Sequence, residues 1–293
     1  MELKTTRVGL VGLGLLGASV AGKLTEDRSV RSVFGWDIDS DVRHTARSRG
    51  LAEVPERLED VVAHADVLLF AVPWRALAAA DEAARAATLA TETTPWAVMD
   101  LCSGKRAPGA LLRRSWGKRY VGFHPMAGKE RGGIANASPE LFFGASCAVV
   151  PFPETSEDVI RWATRLAGAL GMHPVNVDAE AHDAAVGAVS HLPHLLASAL
   201  VLVAEEERQR HPVLAHLAGS GFRDTTRVAS CPADLGVDMA SANGDHLRRL
   251  TRRLTDLLEE LLALPSGAFE ERLRAAAAAR QHLLAPTEGG RGA

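Results

Sequence analysis

The chain has 293 residues, a net charge of -3 and three cysteines, with 47% hydrophobic and 24% charged residues. This composition is ordinary for a soluble globular enzyme, and the length allows one large domain or two moderate ones. The weak negative charge gives no basis for nucleic-acid binding, and we find no apolar stretch of the roughly 18 residues that a membrane span needs. The scattered cysteines suit a reducing compartment and the N-terminus lacks the features of a signal peptide, so we expect a cytoplasmic protein.

Short apolar runs alternate with helical segments through the first part of the chain. We predict strands at residues 7–11, 32–36, 67–72, 97–99, 120–123, 146–150 and 174–177, and helices at 18–24 and 156–170. The run 67–72 is continuously apolar, which is typical of a strand buried on both faces of a parallel sheet. Strands that alternate with helices predict a doubly wound α/β domain of the Rossmann type.

From about residue 179 the pattern becomes helical, and no further strand-like run follows. We predict helices at 180–210, 240–264 and 269–284, and leucines recur at helical spacing from Leu247 to Leu261. That stripe indicates one buried helix face, in a core or an interface. We therefore place an α/β domain at residues 1–178 and an all-α domain at 179–293, with a Gly-rich disordered tail at 286–293.

A glycine-rich motif, Gly12-x-Gly14-x-x-Gly17, follows the first predicted strand and opens a helix. The first glycine allows a tight turn, the second lets the backbone approach a pyrophosphate, and the third lets helix and strand pack closely. Asp37 ends the second strand about 20 residues further on, where a carboxylate accepts hydrogen bonds from an adenosine ribose. With Leu15, these residues predict a dinucleotide site, and because a carboxylate repels a 2′-phosphate, NAD is favoured over NADP. The alternative is a glycine turn that binds no nucleotide.

Three later clusters place polar side chains beside strand or helix ends. They are Asp100-Leu-Cys-Ser103-Gly-Lys105, then His124-Pro-Met-Ala-Gly128-Lys-Glu130, and finally the pair His182-Asp183…Ser190-His191-Leu-Pro-His194 and Ser220-Gly-Phe-Arg223-Asp224-Thr-Thr-Arg227. A neutral imidazole suits a general base, and His124 follows a strand at the sheet edge where ligands bind in open α/β folds. The guanidinium of Arg227 can bind a carboxylate bidentately, with Asp224 three residues earlier placed to pair with it on a helix.

Taken together, the phrases His-Pro-Met-Ala-Gly, Ser-His-Leu-Pro-His and Gly-Phe-Arg-Asp-Thr-Thr-Arg, in this order, resemble the prephenate/arogenate dehydrogenase family. The resemblance extends from about Arg7 to Leu264. It implies a dinucleotide-binding domain followed by a helical domain that forms a homodimer. It also implies a reaction in which the C4 carbinol of a cyclohexadiene is oxidised by hydride transfer to NAD and the ring carboxylate leaves as CO2.

The resemblance assigns roles to individual residues. His124 matches the family's catalytic histidine, and Ser103 matches a serine that hydrogen-bonds the substrate hydroxyl and that histidine. Arg227 matches the arginine that holds the ring carboxylate. His194 and His191 would add to a polar pocket for the substrate's carboxylates, whereas Lys129 either contacts a carboxylate or points to solvent.

Two interpretations of the helical cluster stay open. His182 and Asp183 suit a functional site and a simple helix start equally well. A zinc site built from His191, His194 and Asp183 is an alternative, but no ligand set at zinc spacing accompanies them, so we expect no metal.

Departures from the family pattern leave the substrate open. The family usually has Gly-Ser-Val-Lys where this chain has Cys102-Ser103-Gly104-Lys105, a small hydroxyl residue at the position of Lys129, and an aromatic residue at that of Gly236. Prephenate ranks first, because only Glu130 stands out as a carboxylate partner for the ammonium of arogenate. The runner-up is 4-amino-4-deoxyprephenate. Since the chain ends without the extra regulatory domain of many relatives, we expect no tyrosine feedback through one.

Two other classes of function use the same architecture. A non-catalytic NAD-binding regulator is one, and fold alone does not distinguish it, but a base and a carboxylate clamp argue against it. An imine or 3-hydroxy-acid dehydrogenase is the other, and the Lys-x-x-x-Asn helix motif of those enzymes is not found here.

Overall fold

A computed structural model describes residues 2–285, and the predicted disordered tail lies outside them. Seven strands form one sheet: β1 (Arg7–Val11), β2 (Ser32–Trp36), β3 (Val67–Phe70), β4 (Ala97–Asp100), β5 (Tyr120–Pro125), β6 (Ser146–Val150) and β7 (His173–Asn176). Their order is β2-β1-β3-β4-β5-β6-β7, and all neighbours pair in parallel except β5 and β6, which are antiparallel. The predicted Rossmann-type sheet is confirmed.

The sheet separates two hydrophobic cores, and helices cover each of them. Helices α1 (Leu15–Glu26) and α6 (Glu157–Ala169) pack into one core, whereas α3 (Leu58–His64), α4 (Trp74–Thr91) and α5 (Arg106–Trp116) pack into the other; α2 (Ser40–Ser48) follows β2. Leu68 and Leu69 are adjacent in β3 and belong to opposite cores, because side chains alternate along a strand. Every residue of β3 and β4 is buried, as expected for a sheet covered on both faces.

After β7 no strand follows among residues 177–285. The helices are α7 (Ala179–Val186), α8 (Leu192–Arg210), α9 (Leu214–Leu217), α10 (Ser220–Thr226), α11 (Ala233–Ala242), α12 (Gly244–Ala263) and α13 (Ser266–Leu284). A wider π-helical turn, Gly187–His191, joins α7 to α8, just before Pro193, which has no N–H to complete the ladder. The single helix predicted at 240–264 is two helices, because the backbone leaves helical geometry at Asn243.

The chain divides into two compact units, Met1–Gly244 and Asp245–Ala293. The first unit contains the sheet and the helices up to α11, and the second contains nearly all of α12 and the whole of α13. The sheet ends at Asn176, just before the domain boundary that the sequence places near residue 178. That boundary stays a prediction.

The helical stretch Ala179–Arg210 has the predicted extent but is more apolar than the sequence analysis allowed. It has 32 residues, and its most apolar 18-residue window has a mean hydropathy of 1.7, so length and composition would let it cross a membrane. The expectation that no stretch reaches this limit is therefore wrong. Length and composition alone are weak evidence for a span. Only 22% of the window is buried inside the chain.

Candidate active site

The glycine motif forms the turn between β1 and α1. Gly12 has a φ of +97°, and a Cβ there would lie 2.6 Å from the carbonyl oxygen of Ala71, while a Cβ on Gly17 would collide with the Gly12 carbonyl. Gly14 differs, because a Cβ there would meet no atom within 4 Å. Two of the glycines are therefore required by the fold, whereas Gly14 leaves open space in front of the α1 N-terminus, where a phosphate is favoured.

Asp37 is anchored beside this turn at the end of β2. Its Oδ2 accepts the backbone N–H of Leu13 at 2.7 Å, and its Oδ1 accepts that of Asp39 at 3.0 Å. The nearby guanidinium of Arg43 donates to the backbone carbonyls of Asp37 and Ile38. The carboxylate is thus held in place and can still accept further hydrogen bonds. The guanidinium of Arg43 is already hydrogen-bonded within the protein.

A cavity of about 540 Å³ opens beside the glycine turn. Its wall runs from Gly14 past Ser103 and His124 to Lys129, and α11 contributes Asp238. The nucleotide turn, the predicted base and the predicted serine therefore share one cavity. No hydrogen bond joins Ser103 to His124 among the described residues, so the two side chains are separate contacts on the same wall.

His124, on β5, ends a chain of buried hydrogen bonds that we call the relay: His124, His182 and Asp183. His124 Nδ1 lies 2.9 Å from His182 Nε2, and His182 Nδ1 lies 2.7 Å from Asp183 Oδ1. The Asp183 carboxylate also accepts the backbone N–H groups of Lys105, at 2.7 Å, and Arg106, at 2.9 Å, where α5 begins. The pair that the sequence left open is therefore built into the site.

The relay determines which nitrogen of His124 is free. Asp183 accepts two backbone N–H groups at a helix N-terminus and is ionised, so His182 Nδ1 must donate to it. When His182 carries this one proton, its Nε2 accepts, and His124 donates through Nδ1. The other ring nitrogen, His124 Nε2, is left with its lone pair, and it has no hydrogen-bond partner among residues 2–285. Since His124 lines the cavity, this nitrogen is placed to act as a general base.

The electrostatic surroundings keep this imidazole neutral. Burial lowers the pKa of His124 well below its ordinary value of 6.5, and the nearby ammonium of Lys105 lowers it further. Burial likewise lowers the pKa of His191 to about 4, against the opposing charge of Asp183. Both imidazoles are therefore neutral at pH 7, and a general base must be in this state.

A second buried charge cluster adjoins the relay through Lys105. The Nζ of Lys105 donates to Asp100 Oδ1 at 2.5 Å, and the hydroxyl of Tyr120 donates to Asp100 Oδ2 at 2.6 Å. Neither side chain of the ion pair is exposed, and a Cβ on Gly122 of β5 would lie 2.7 Å from Lys105 Cδ. Removing one partner of such a pair typically costs about 3–5 kcal/mol, because the other charge stays buried. The cluster therefore fixes the segment between β4 and α5.

Arg227 lies outside the cavity wall in the described chain. Its guanidinium pairs with Glu130, and its side chain is 61% exposed. The pairing with Asp224 expected from the sequence does not form, because α10 ends one residue before Arg227 and a 3-10 turn begins there. Glu130 therefore competes with a substrate carboxylate for this guanidinium.

The other predicted substrate contacts, Lys129, His191 and His194, differ in burial and in whether they line the cavity wall. Lys129 lines the cavity, but its Nζ donates to a backbone carbonyl of the following loop at 2.8 Å. His191 is 1% exposed, with Nδ1 3.3 Å from the side-chain nitrogen of Asn243. His194 is partly exposed, and a Cβ on Gly236 would lie 2.8 Å from its Nε2. Neither histidine is among the described residues of the cavity wall.

Two polar residues of this region were missed by the sequence analysis. Asn243 donates from Nδ2 to the backbone carbonyl of Asp183 at 2.7 Å, and Asp238 accepts the backbone N–H of Trp74 at 3.0 Å. Neither belongs to a short motif. Both contacts join positions far apart in the chain, so only the folded structure brings them to the site.

Comparisons with known proteins agree with this architecture. A family model described as "Prephenate dehydrogenase, nucleotide-binding domain" matches residues 20–175, and one described as "Prephenate dehydrogenase, dimerization domain" matches residues 178–278. Together these two matches cover most of the chain.

Individual relatives are similar over most of their length. A prephenate dehydrogenase of Lactococcus lactis is 25% identical over 273 residues, which are 90% of this chain and 73% of the relative. A cyclohexadienyl dehydrogenase of Zymomonas mobilis is 30% identical over 244 residues, 82% of each chain. The crystal structure of prephenate dehydrogenase from A. aeolicus, in complex with hydroxyphenyl propionate and NAD+, superposes with a TM-score of 0.87 at 25% identity, covering 97% of this chain and 100% of that one.

Proposed function

This chain belongs to the prephenate dehydrogenase family, and from that membership we propose that it oxidises prephenate with NAD+ and releases the ring carboxylate as CO2. One observation carries the proposal. The relay leaves His124 Nε2 unprotonated on a cavity that begins at the glycine turn. A protein that only binds a nucleotide has no use for such a base.

The reaction needs a proton acceptor next to C4 of the substrate. NAD+, when bound, supplies the hydride acceptor. His124 Nε2 takes the proton of the C4 hydroxyl as the hydride leaves C4, so that carbonyl character develops on that carbon. The bond from C1 to its carboxylate then breaks, CO2 leaves, and the electron pair enters the ring, which becomes an aromatic phenolate. The proton returns from His124 to the phenolic oxygen, which gives 4-hydroxyphenylpyruvate.

The residues of the first unit fit a bound dinucleotide. Gly14 leaves room in front of the α1 N-terminus for a pyrophosphate, and the anchored carboxylate of Asp37 suits a ribose diol. Asp37 would repel a 2′-phosphate, and Arg43 is held by backbone carbonyls nearby. These contacts support NAD over NADP.

The substrate contacts follow from the resemblance and the cavity. Ser103 lies on the wall that His124 shares, and we propose that its hydroxyl binds the C4 oxygen. We propose that Arg227 holds the ring carboxylate after exchanging Glu130 for it, because a bidentate guanidinium fixes the ring orientation. His194, His191 and Lys129 stay predictions as substrate contacts.

We expect His124→Asn to lower kcat about 10²–10⁴-fold with little change in KM, since a general base acts mainly in the transition state. The measurement is NADH formation from prephenate. In the wild type the acid limb of kcat/KM should lie below pH 6.5, because burial and neighbouring charges lower the pKa of His124 and so keep it unprotonated in more acidic solution. His44→Asn, at an exposed position on α2, is the control and should leave both parameters unchanged. Near-normal turnover by His124→Asn on every cyclohexadiene tested would remove the base assignment.

For the cofactor, we expect Asp37→Ala to weaken NAD+ binding about 10- to 100-fold, because hydrogen bonds to a charged acceptor contribute about 1.5–3 kcal/mol. The preference for NAD+ over NADP+ should narrow at the same time. Calorimetric titration with each cofactor measures both effects. Asp39→Ala is the control, since that carboxylate caps α2 and does not bind the glycine turn. A wild type that already prefers NADP+ contradicts the assignment.

We also propose that the chain is a cytoplasmic homodimer. The residues matched by the dimerization model include α8, whose exposed apolar side chains are Leu195, Leu196, Leu200, Leu202 and Val203. A second copy that packs on these residues would cover the apolar surface that the chain itself leaves open. Such packing explains the apolar character of Ala179–Arg210 without a membrane.

Light scattering of the protein purified without detergent should therefore give twice the chain mass of 31.1 kDa. Leu200→Asp should shift the equilibrium towards monomer, because it buries a charge in the interface. Leu89→Asp, on an equally apolar but 81% exposed position of α4, should not. A wild-type monomer at micromolar concentration would rule out the dimer, and a protein that is extracted only by detergent would rule out the cytoplasmic location.

A further inference from the structure

Asp238 is a buried carboxylate on the cavity wall that the proposed reaction does not use. It lies on α11 and is 8% exposed. It lines the same cavity as His124 and Ser103. Its Oδ2 accepts the backbone N–H of Trp74, the first residue of α4, at 3.0 Å. Its other oxygen, Oδ1, is buried without a hydrogen-bond partner among the described residues.

An unpartnered carboxylate oxygen is costly at such a position. Removing a charged acceptor from water without a donor is unfavourable, so buried carboxylates are normally paired or hydrogen-bonded. The guanidinium of Arg75 does not donate to this oxygen. Arg75 is bound to Asp234, with Nη2 2.5 Å from Oδ2, at the exposed end of the same helix. A helix-capping function accounts for one oxygen of Asp238 and leaves the other unexplained.

The packing of α11 shows that Asp238 is held firmly at this wall. A Cβ on Gly104 would lie 3.0 Å from the Cβ of Ala242, and a Cβ on Gly236 would lie 2.8 Å from Nε2 of His194. An added Cβ at either glycine would be closer than ordinary van der Waals contact. The two glycines thus allow α11 to approach the segment after β4 and the ring on α8, which places Asp238 close to the chemistry.

We propose that Asp238 is a recognition residue whose free oxygen accepts an N–H group of a bound ligand. If the proposed function holds, two ligands of this cavity carry such a group: the carboxamide of the nicotinamide, and the amino group of an aminated cyclohexadiene such as arogenate or 4-amino-4-deoxyprephenate. Prephenate carries no N–H group, and its hydroxyl is taken by His124. In the second case Asp238 would be a carboxylate partner for the substrate ammonium, in addition to the Glu130 that the sequence suggests.

The test exchanges the acceptor for a donor at constant shape. Asp238→Asn keeps an oxygen for the N–H of Trp74 and presents an NH2 group in place of Oδ1. Asp238→Ser serves as a second variant, because it removes the carboxylate and keeps a small polar side chain at this position. Glu82→Gln is the matched control, since it makes the same acid-to-amide exchange at an exposed position of α4 outside the described cavity wall.

Binding of NAD+, prephenate, arogenate and 4-amino-4-deoxyprephenate is measured by calorimetric titration of each variant, with the cyclohexadienes added to the NADH-bound protein. Weaker NAD+ binding by tenfold or more, in both Asp238 variants and not in the control, assigns the oxygen to the nicotinamide carboxamide. A tenfold loss of affinity that is confined to an aminated cyclohexadiene assigns the oxygen to the substrate. That compound then ranks above prephenate as the candidate substrate. Constants within twofold of wild type for all four ligands would overturn the proposal and leave Asp238 as a helix cap.

These outcomes are separable from a failure of the proposed function. If the wild type forms no NADH from any cyclohexadiene, the proposed reaction fails. The NAD+ titration still decides whether Asp238 recognises a ligand, because it does not depend on turnover.

Discussion

The carboxylate of Asp183 accepts three N–H groups, and the arrangement of the site depends on this interaction. Two come from the backbone of Lys105 and Arg106 at the start of α5, and the third comes from the ring of His182. Burial alone would raise the pKa of Asp183, but the hydrogen bonds from His182, Arg106 and Lys105 outweigh it, and the pKa lies below its usual range. An ionised, immobile carboxylate follows, and it orients His182, which in turn orients His124.

Lys105 couples this carboxylate to the sheet. Its backbone N–H binds Asp183, while its side chain binds Asp100 at the end of β4, beside Tyr120 of β5. The two strand ends and the start of α5 are thereby joined by buried polar contacts, which lose much more when one member is removed than an exposed pair would. The same ammonium helps to keep His124 neutral. One lysine therefore contributes to the rigidity of the site and to the protonation state of its base.

Local sequence signals predicted the fold well, because strands and the glycine turn depend on neighbouring residues. The strands at 7–11, 32–36 and 146–150 have the predicted bounds, and the Gly12 turn needs its glycines for steric reasons visible in any such motif. The helical part was less predictable. Asn243 ends α11 because its side chain binds the Asp183 carbonyl, a contact between residues 60 positions apart that no periodicity reveals.

The residues of the candidate site were also only partly predictable from the sequence. His124 and Ser103 could be chosen from the sequence, since each stands in a motif at a strand end, and the structure places both on one cavity. The roles of His182 and Asp183 could not, because they follow from hydrogen bonds across 58 and 78 positions. Arg227 pairs with Glu130, and Asp238 binds the N-terminus of α4. Both pairings join segments about 100 or more positions apart, so no local pattern predicts them.

The central claim is that Asp183, acting through His182, places the proton of a neutral His124 on Nδ1 and leaves a lone pair on Nε2. Two-bond ¹H–¹⁵N correlation spectra of ¹⁵N-histidine-labelled protein report the tautomer of each of the 11 histidines directly. The His124 signals can be assigned from their loss in His124→Asn. At pH 7 we expect a protonated Nδ1 and a bare Nε2, and this pattern should persist below pH 6.5 because the pKa of His124 is lowered. A proton on Nε2 at pH 7, either as the other neutral tautomer or as an imidazolium, would contradict the account.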